Sequence, residues 1–260
     1  MPVRQFVDLD GVRLSYVDYG GKGEPLLALH GHYGCARSFA GLAEALHNKW
    51  RVIALDQRGH GWSEQPDDYS REAYVRDAAI FLKKLNLGPA VVLGHSLGGL
   101  NAYQLAAWQP DLVKALIIED IGAVVPRFGP ATHGWPLRFD SMRHVLEWAE
   151  QMGFKNDSYF QESLVEYPDG WGFRFNYDKL ARSMELIAGD WWQDWLASKC
   201  PALLVHGHRS WVLGTDHARD MAAKRPNTKL VEFPECGHTI HDEEPVKFHR
   251  SVVQFLSTIG

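Results

Sequence analysis

Residues 91–100 read Val-Val-Leu-Gly-His-Ser-Leu-Gly-Gly-Leu, and they decide the fold. Val91, Val92 and Leu93 follow Pro89-Ala90 as a short continuous apolar run, the pattern of a strand buried on both faces. From Leu97 to Trp108 the apolar residues recur at helical spacing. A strand therefore runs directly into a helix at Ser96. So sharp a turn leaves no room for side chains two residues to either side, which accounts for Gly94 and Gly98. The turn is expected to hold the Ser96 hydroxyl out of the fold. G-x-S-x-G alone recurs by chance, so its weight comes from the strand before it and the helix after it.

The surrounding chain has 260 residues, enough for one large α/β domain with an inserted subdomain and for a full core without disulfides. Its net charge of −5 comes from 27 basic and 32 acidic residues spread along the chain. That balance leaves no electrostatic footprint for nucleic acid or an anionic membrane, so the expected partner is a small apolar or neutral molecule. Cys35, Cys200 and Cys236 are odd in number and far apart, which suits thiols kept reduced in a cytosol. Met1-Pro2-Val3-Arg4 leads into an alternating strand without the apolar core of a signal peptide. No apolar run approaches the ~18 residues of a membrane span, so a cytoplasmic protein is expected.

Upstream of the elbow, residues 3–9 and 12–19 alternate apolar and polar about Asp10-Gly11, an antiparallel hairpin suited to a sheet edge. Leu26 to Leu29 and Val52 to Leu55 are continuous apolar runs, with helical spacing from Ser38 to Asn48 between them, so the unit is a parallel βαβ. A helix at 71–86 precedes the elbow strand, and Pro110 ends the helix after it. The sixth strand, Ala115-Leu116-Ile117-Ile118, exits at Glu119-Asp120. Residues 125–199 then lose buried strand runs and show helical periodicity at about 141–152, 157–166 and 177–197. Trp135, Trp148, Trp171, Trp191, Trp192 and Trp195 fall in this stretch, an aromatic content that reads first as core. The sheet resumes with a seventh strand at Ala202–Val205 and an eighth at Lys229–Phe233, and an amphipathic helix from Pro245 to Ile259 closes the chain. Ligands bind beyond the carboxyl ends of parallel strands, so the glycine-rich exits and Ser96 should face one crevice.

Strand, sharp turn, helix and His95 beside the serine resemble the nucleophile elbow of the α/β-hydrolase superfamily, and the resemblance extends over nearly the whole chain. It implies a mostly parallel, eight-stranded, doubly wound sheet with an inserted helical cap. Residues 1–124 and 200–260 would form the core, and 125–199 the cap. The exit at His30-Gly31 resembles the superfamily's oxyanion loop. By that likeness the backbone N–H groups of His32 and Leu97 would receive a developing negative charge, helped at Leu97 by the helix N-terminus.

A serine hydroxyl is a weak nucleophile at neutral pH; it needs a base, and the base needs a partner to fix its tautomer. His238 lies beside Gly237 after the last strand, in the chain order serine, acid, histidine that the superfamily uses, with His241 as the alternative. The acid departs from the usual pattern. That pattern puts an Asp a few residues beyond the glycine ending the seventh strand, whereas Gly207 is followed by His208, Arg209, Ser210 and Trp211. Asp120 occupies the place that some members use instead, and a few small esterases resembling this chain keep a serine where Ser210 stands. Asp216 and Glu119 remain open, although strand alternation should turn Glu119 to the other face from Asp120.

Asp56-x-Arg58-Gly59-x-Gly61-x-Ser63 resembles another superfamily signature and reads as a loop held by an Asp–Arg pair. The pairs His206 with His208 and His238 with His241 lack a third ligand on one helix face, so no metal is expected, and Cys236 reads as structural. The expectation is a carboxylesterase-like serine hydrolase without a cofactor, cleaving a small ester. Ser96 attacks, His238 accepts its proton and Asp120 orients His238. Serine at position 96 disfavours the dehalogenase and epoxide-hydrolase branches, which need a carboxylate nucleophile. Lactonase, thioesterase, C–C bond hydrolase and cofactor-free haloperoxidase chemistry stay open on the same triad, as does a non-catalytic ligand-binding protein of this fold.

Overall fold

The computed structural model describes residues 2–129, 132, 134–152 and 163–259. Strands β1 (Arg4–Leu9) and β2 (Val12–Asp18) form the edge hairpin, followed by β3 (Glu24–Leu29), α1 (Ala40–Leu46) and β4 (Trp50–Leu55). Next come α2 (Arg71–Lys84), β5 (Ala90–His95), α3 (Leu97–Trp108) and β6 (Val113–Glu119). Ser70 starts α2 by accepting a hydrogen bond from the Ala73 amide at 3.2 Å.

The stretch after β6 contains β7 (Val124–Val125), α4 (Met142–Gln151), β8 (Leu164–Tyr167), β9 (Gly170–Phe173), α5 (Tyr177–Ile187), β10 (Gly189–Asp190) and α6 (Trp192–Ala197). The chain closes with β11 (Ala202–Gly207), α7 (Thr215–Lys224), β12 (Thr228–Phe233), α8 (Ile240–Glu243) and α9 (Pro245–Leu256).

Eight strands form one sheet in the order β1-β2-β4-β3-β5-β6-β11-β12, parallel from β4 to β12. The expected class and strand number are therefore observed. Period-2 alternation in the parallel strands splits the apolar residues between two cores. Leu27, Leu29, Val92, Leu116, Ile118 and Leu204 pack on the face that α2 and α3 cover. Leu26, Ala28, Val91, Leu93, Ile117 and Leu203 pack on the other face, with Leu42 of α1 and Phe248 and Val252 of α9. Strands filled on both faces have to be continuously apolar, as these are.

The stretch after β6 differs from its reading in two places. Of the helix expected at 157–166, residues 157–162 lie outside the described residues, and Leu164–Tyr167 is the first arm of a hairpin with Gly170–Phe173. Pro168-Asp169-Gly170 is a turn sequence, and Gly170 takes the positive φ of 128° that the turn needs. The helix expected at 177–197 breaks at Ala188, and Gly189–Asp190 pairs antiparallel with Val124–Val125. The segment just after β6 is thereby joined to the one just before α6. Its tryptophans are largely packing groups: Trp135 lies 4.9 Å from Trp148 and 5.2 Å from Tyr33, and Trp195 is fully buried against Tyr103. Among the described residues, no helix is long and apolar enough to cross a membrane.

Candidate active site

At the elbow the backbone leaves β5 and enters α3 through Ser96, held at φ 52° and ψ −116°. This is strained for a residue with a Cβ. The amide of Ser96 still bonds the Glu119 carbonyl at 2.9 Å, and its carbonyl accepts the Leu100 amide at 3.0 Å, so sheet and helix meet with no intervening loop. A methyl group on Gly94 would strike the Gly98 carbonyl, and one on Gly98 would strike the Leu29 carbonyl. The two glycines are thus required by close backbone approach. The hydroxyl, expected to be exposed, is recessed: Ser96 is only 8% exposed, and His32, Tyr33, His60 and Leu97 at the neighbouring strand exits are buried too.

One strand over, Asp120 follows the last residue of β6, also at positive φ (51°), while its amide keeps pairing with Val205 of β11 at 2.9 Å. Its carboxylate is fully buried and collects four donors. On Oδ1 these are His206 Nδ1 at 3.1 Å and the Gly207 amide at 3.2 Å. On Oδ2 they are His238 Nδ1 at 2.7 Å and the Ser210 hydroxyl. Burial pushes the pKa of Asp120 up, but the hydrogen bonds from His206, His238 and Ser210 outweigh it and hold the carboxyl below its ordinary value. An ionised carboxylate only accepts, so His238 donates from Nδ1, and its neutral tautomer then has the lone pair on Nε2. His206 is fixed likewise, its Nε2 accepting from Thr215 Oγ1 at 3.0 Å.

His238 sits in the loop between β12 and α8. Glu243 receives the Gly237 and Thr239 amides at 2.8 and 3.2 Å, and His95, the neighbour of Ser96, donates from Nε2 to the His238 carbonyl at 2.9 Å. The loop carrying the imidazole is therefore tied to the elbow itself. Trp211 lies beside the ring at 5.8 Å.

The other candidates fall elsewhere. Glu119 does point away from Asp120: it accepts the amide of His241 at 2.8 Å and its Nδ1 at 2.9 Å. Burial alone would lower the pKa of His241, but the Glu119 carboxylate overrides it and raises the imidazole to about 9. The alternative acid and the alternative base thus neutralise each other. Asp216 is exposed in the first turn of α7. Asp56 and Arg58 do not pair with each other. Asp56 accepts the amides of Ala36 and Trp62 at 2.6 and 3.1 Å, whereas Arg58 clamps Asp77 through two 2.7 Å bonds. Among the described residues, no three His, Cys, Asp or Glu gather as a metal site.

His32 and Leu97 leave adjacent parallel strands, β3 and β5, with Leu29 opposite Gly94. Leu97 opens α3, where amides lack intrahelical acceptors. The His32 ring makes a contact that its sequence position did not announce: Nε2 lies 2.9 Å from Ser183 Oγ of α5, which in turn lies 2.9 Å from the Tyr74 hydroxyl. His206 was also missed as a partner of Asp120. Its only sequence signal was the spacing to His208, which suggested metal.

Over residues 24–245 the chain matches the family model described as alpha/beta hydrolase fold. The chain belongs to the α/β-hydrolase family. It is an enzyme of that family, a hydrolase. It is 39% identical to an sn-1-specific diacylglycerol lipase of Xenopus tropicalis, over 95% of this chain and 83% of the relative. It is 28% identical to a serine hydrolase of Mus musculus, over 96% of this chain and 85% of the relative. Among solved structures, E-2-(acetamidomethylene)succinate hydrolase superposes with a TM-score of 0.91 over 99% of this chain and 100% of that one, at 22% identity. At that identity the likeness speaks for the α/β-hydrolase fold alone.

Proposed function

We propose that this α/β-hydrolase cleaves a small carboxylic ester through an acyl-enzyme on Ser96. The observation that carries the reading is the 2.7 Å bond from His238 Nδ1 to a buried Asp120 carboxylate that three further donors hold in place. That bond leaves Nε2 as the base, and His95 ties the same residue to the elbow. The Xenopus relative, named as a lipase, and the mouse relative, named as a serine hydrolase, support ester substrates and a serine nucleophile.

Ser96 Oγ attacks the acyl carbon while His238 Nε2 takes its proton, and Asp120 stabilises the imidazolium. The carbonyl oxygen, now negative, is received by the amides of His32 and Leu97. Collapse expels the alcohol, which takes the proton back from His238, and the acyl group remains on Ser96. Water then repeats the sequence with His238 as base and releases the acid and the free serine. These groups supply nucleophile, base and electrophile, so the reaction needs no cofactor.

Residues 1–124 and 200–260 act as the catalytic core and 125–199 as a cap over the strand exits. In support, Ser183 and Met184 of α5 bond His32 and Tyr33, and Ser163 bonds the Tyr33 carbonyl at 2.8 Å. The three cysteines are free, which suits a cytoplasmic setting.

A fluorophosphonate should label Ser96 rapidly and stoichiometrically, and Ser96→Ala should lose ester turnover by about 10⁴-fold or more while keeping its fold. A Ser96→Ala enzyme that retained a tenth of wild-type turnover would remove Ser96 as nucleophile.

A further inference from the structure

Glu119, the last residue of β6, stands between the nucleophile and the acid. Its carbonyl accepts the Ser96 amide at 2.9 Å, and the residue after it is Asp120. Its fully buried carboxylate accepts the His241 amide on Oε1 at 2.8 Å and meets His241 Nδ1 with both oxygens at 2.9 Å. His241 is buried in α8, three residues beyond His238. Consecutive carboxylates of β6 therefore grip one short segment, Asp120 by the ring of His238 and Glu119 by the backbone and ring of His241.

His95, the last residue of β5, closes the arrangement. Its ring lies 4.6 Å from that of His238 and 5.1 Å from that of His241, and its Nε2 donates to the His238 carbonyl. Nucleophile, acid and base are thus linked through Glu119 and His95. A buried ion pair is a weak source of stability, because desolvating two charges offsets most of their attraction and apolar groups of similar volume often serve as well. What the pair does provide is register, since a charge-assisted hydrogen bond is short and directional. An apolar contact would let the loop slide, and a slide near 1 Å in a reacting group slows turnover by about 100-fold.

We propose that Glu119 and His241 are positioning residues for the base: their buried ion pair sets where the loop after β12 holds the His238 imidazole against Ser96. The proposal rests on the serine-hydrolase reading above, in which His238 is the base, and adds to it two residues that act through His238.

The charge on the pair makes this positioning depend on pH. His241 is faced by Glu119 and His95 from the sheet, by Asp242 and Glu243 from its own turn, by His249 of α9, and by the rings of Phe39 and Phe248. Burial opposes the charged imidazole, but Glu119, with Asp242 and Glu243, outweighs it and raises the pKa to about 9. His241 is therefore cationic through the neutral range and loses its charge as pH rises through 9.

The test follows kcat and KM for p-nitrophenyl butyrate from about pH 6 to 10, well below every variant's Tm, together with the rate of fluorophosphonate labelling. In wild type kcat should fall about tenfold, reversibly, as pH rises through 9, with KM little changed. Glu119→Gln keeps an acceptor for the His241 amide but not the charge. It should be about tenfold slower near neutral pH, with its alkaline fall displaced to lower pH. Glu119→Leu removes the acceptor too and should lose about 100-fold in kcat and in labelling rate. Combining Glu119→Leu with His241→Phe repacks the site against Phe39 and Phe248, so Tm should exceed that of Glu119→Leu while kcat stays low. A pair that only stabilised the fold would make kcat recover with Tm. That recovery would overturn the proposal, as would a Glu119→Gln profile superimposed on wild type. If the Glu119→Leu variants do not fold, the Glu119→Gln profile decides: a slower kcat with the displaced fall sustains the proposal, and superposition ends it. Labelling of wild type separates the two readings. A protein that labels at Ser96 but whose Glu119→Gln variant matches it loses only the positioning role. One that hydrolyses the ester without labelling at Ser96 loses the serine mechanism, and the positioning role with it.

Discussion

Asp120 receives four hydrogen bonds, and only one of them comes from the base it is proposed to orient. The other three fix its orientation, and the bonds from His206 and Ser210 join that from His238 in keeping it ionised in a buried place, where burial alone would favour its protonated form. Replacing it by Asn keeps the shape but offers an amide that can hold the wrong imidazole tautomer. Asp120→Asn should therefore lower kcat by about 10⁴ with KM little changed. Asp216→Asn, at an exposed helix start, should be close to neutral. Ser210→Ala removes one of the four donors and should cost about tenfold. Steady-state kinetics of the three variants checks the ranking, and an inactive Asp216→Asn beside an active Asp120→Asn would reverse the assignment of the acid.

At the scale of elements, the site depends on how closely β11 approaches the loop after β12. A methyl group on Gly207 would collide with the Gly237 carbonyl and come within 2.7 Å of the Cys236 carbonyl. Neither backbone group can yield without moving His238, the next residue along. Gly207→Ala should thus cut kcat by about 100-fold, the scale of a displacement near 1 Å in a reacting group. Gly214→Ala, where a methyl group meets nothing within 4 Å, should stay within about twofold. Unchanged turnover in Gly207→Ala would mean that the loop position is not set by this contact. The helical stretches show the converse case. The run at 177–197 has enough apolar periodicity for one helix, but the pairing of Gly189–Asp190 with Val124–Val125 divides it. A two-residue ladder with a distant partner leaves no periodic trace in either segment.

Across the whole molecule, several histidines are buried without charge. Burial lowers the pKa of His30 to about 4 and holds His32, His60 and His95 well below the ordinary value of 6.5. As pH falls below 6.5 the unfolded chain takes up protons that the folded one refuses, so stability drains away between about 6.5 and 4. For His30 alone the linkage is on the order of 3 kcal/mol. His241 acts in the opposite sense: its raised pKa of about 9 gives stability that is full below 6.5 and lost as pH rises through 9. Thermal denaturation should show a Tm maximum near neutrality, with a steep acid limb and a shallower alkaline one. A Tm flat from pH 7 to 4.5 would contradict this.

The order of the sheet strands along the chain, the strand-to-helix turn at Ser96 and the places of His238 and Asp120 at strand exits could be read from the chain, because each depends on local pattern or on position relative to a strand end. Buried parallel strands must be continuously apolar, and a strand that turns at once into a helix must have glycines where backbones touch. The identity of the groups around the acid could not be read in this way. His206 is 86 residues from Asp120 and Ser210 is 90, and only the register of β6 against β11 brings them to one carboxylate. The pairing of Glu119 with His241, across 122 residues, likewise arises from packing. Arg71 is a further case: in sequence it is one more charge at a helix start, and only the packing of α2 against α3 buries it against the amide oxygens of Asn101 and Gln104, with Asp194 beyond Gln104. Local pattern selects elements because it follows the backbone's own periodicities, whereas partners depend on distances between residues that the chain brings together only when it folds.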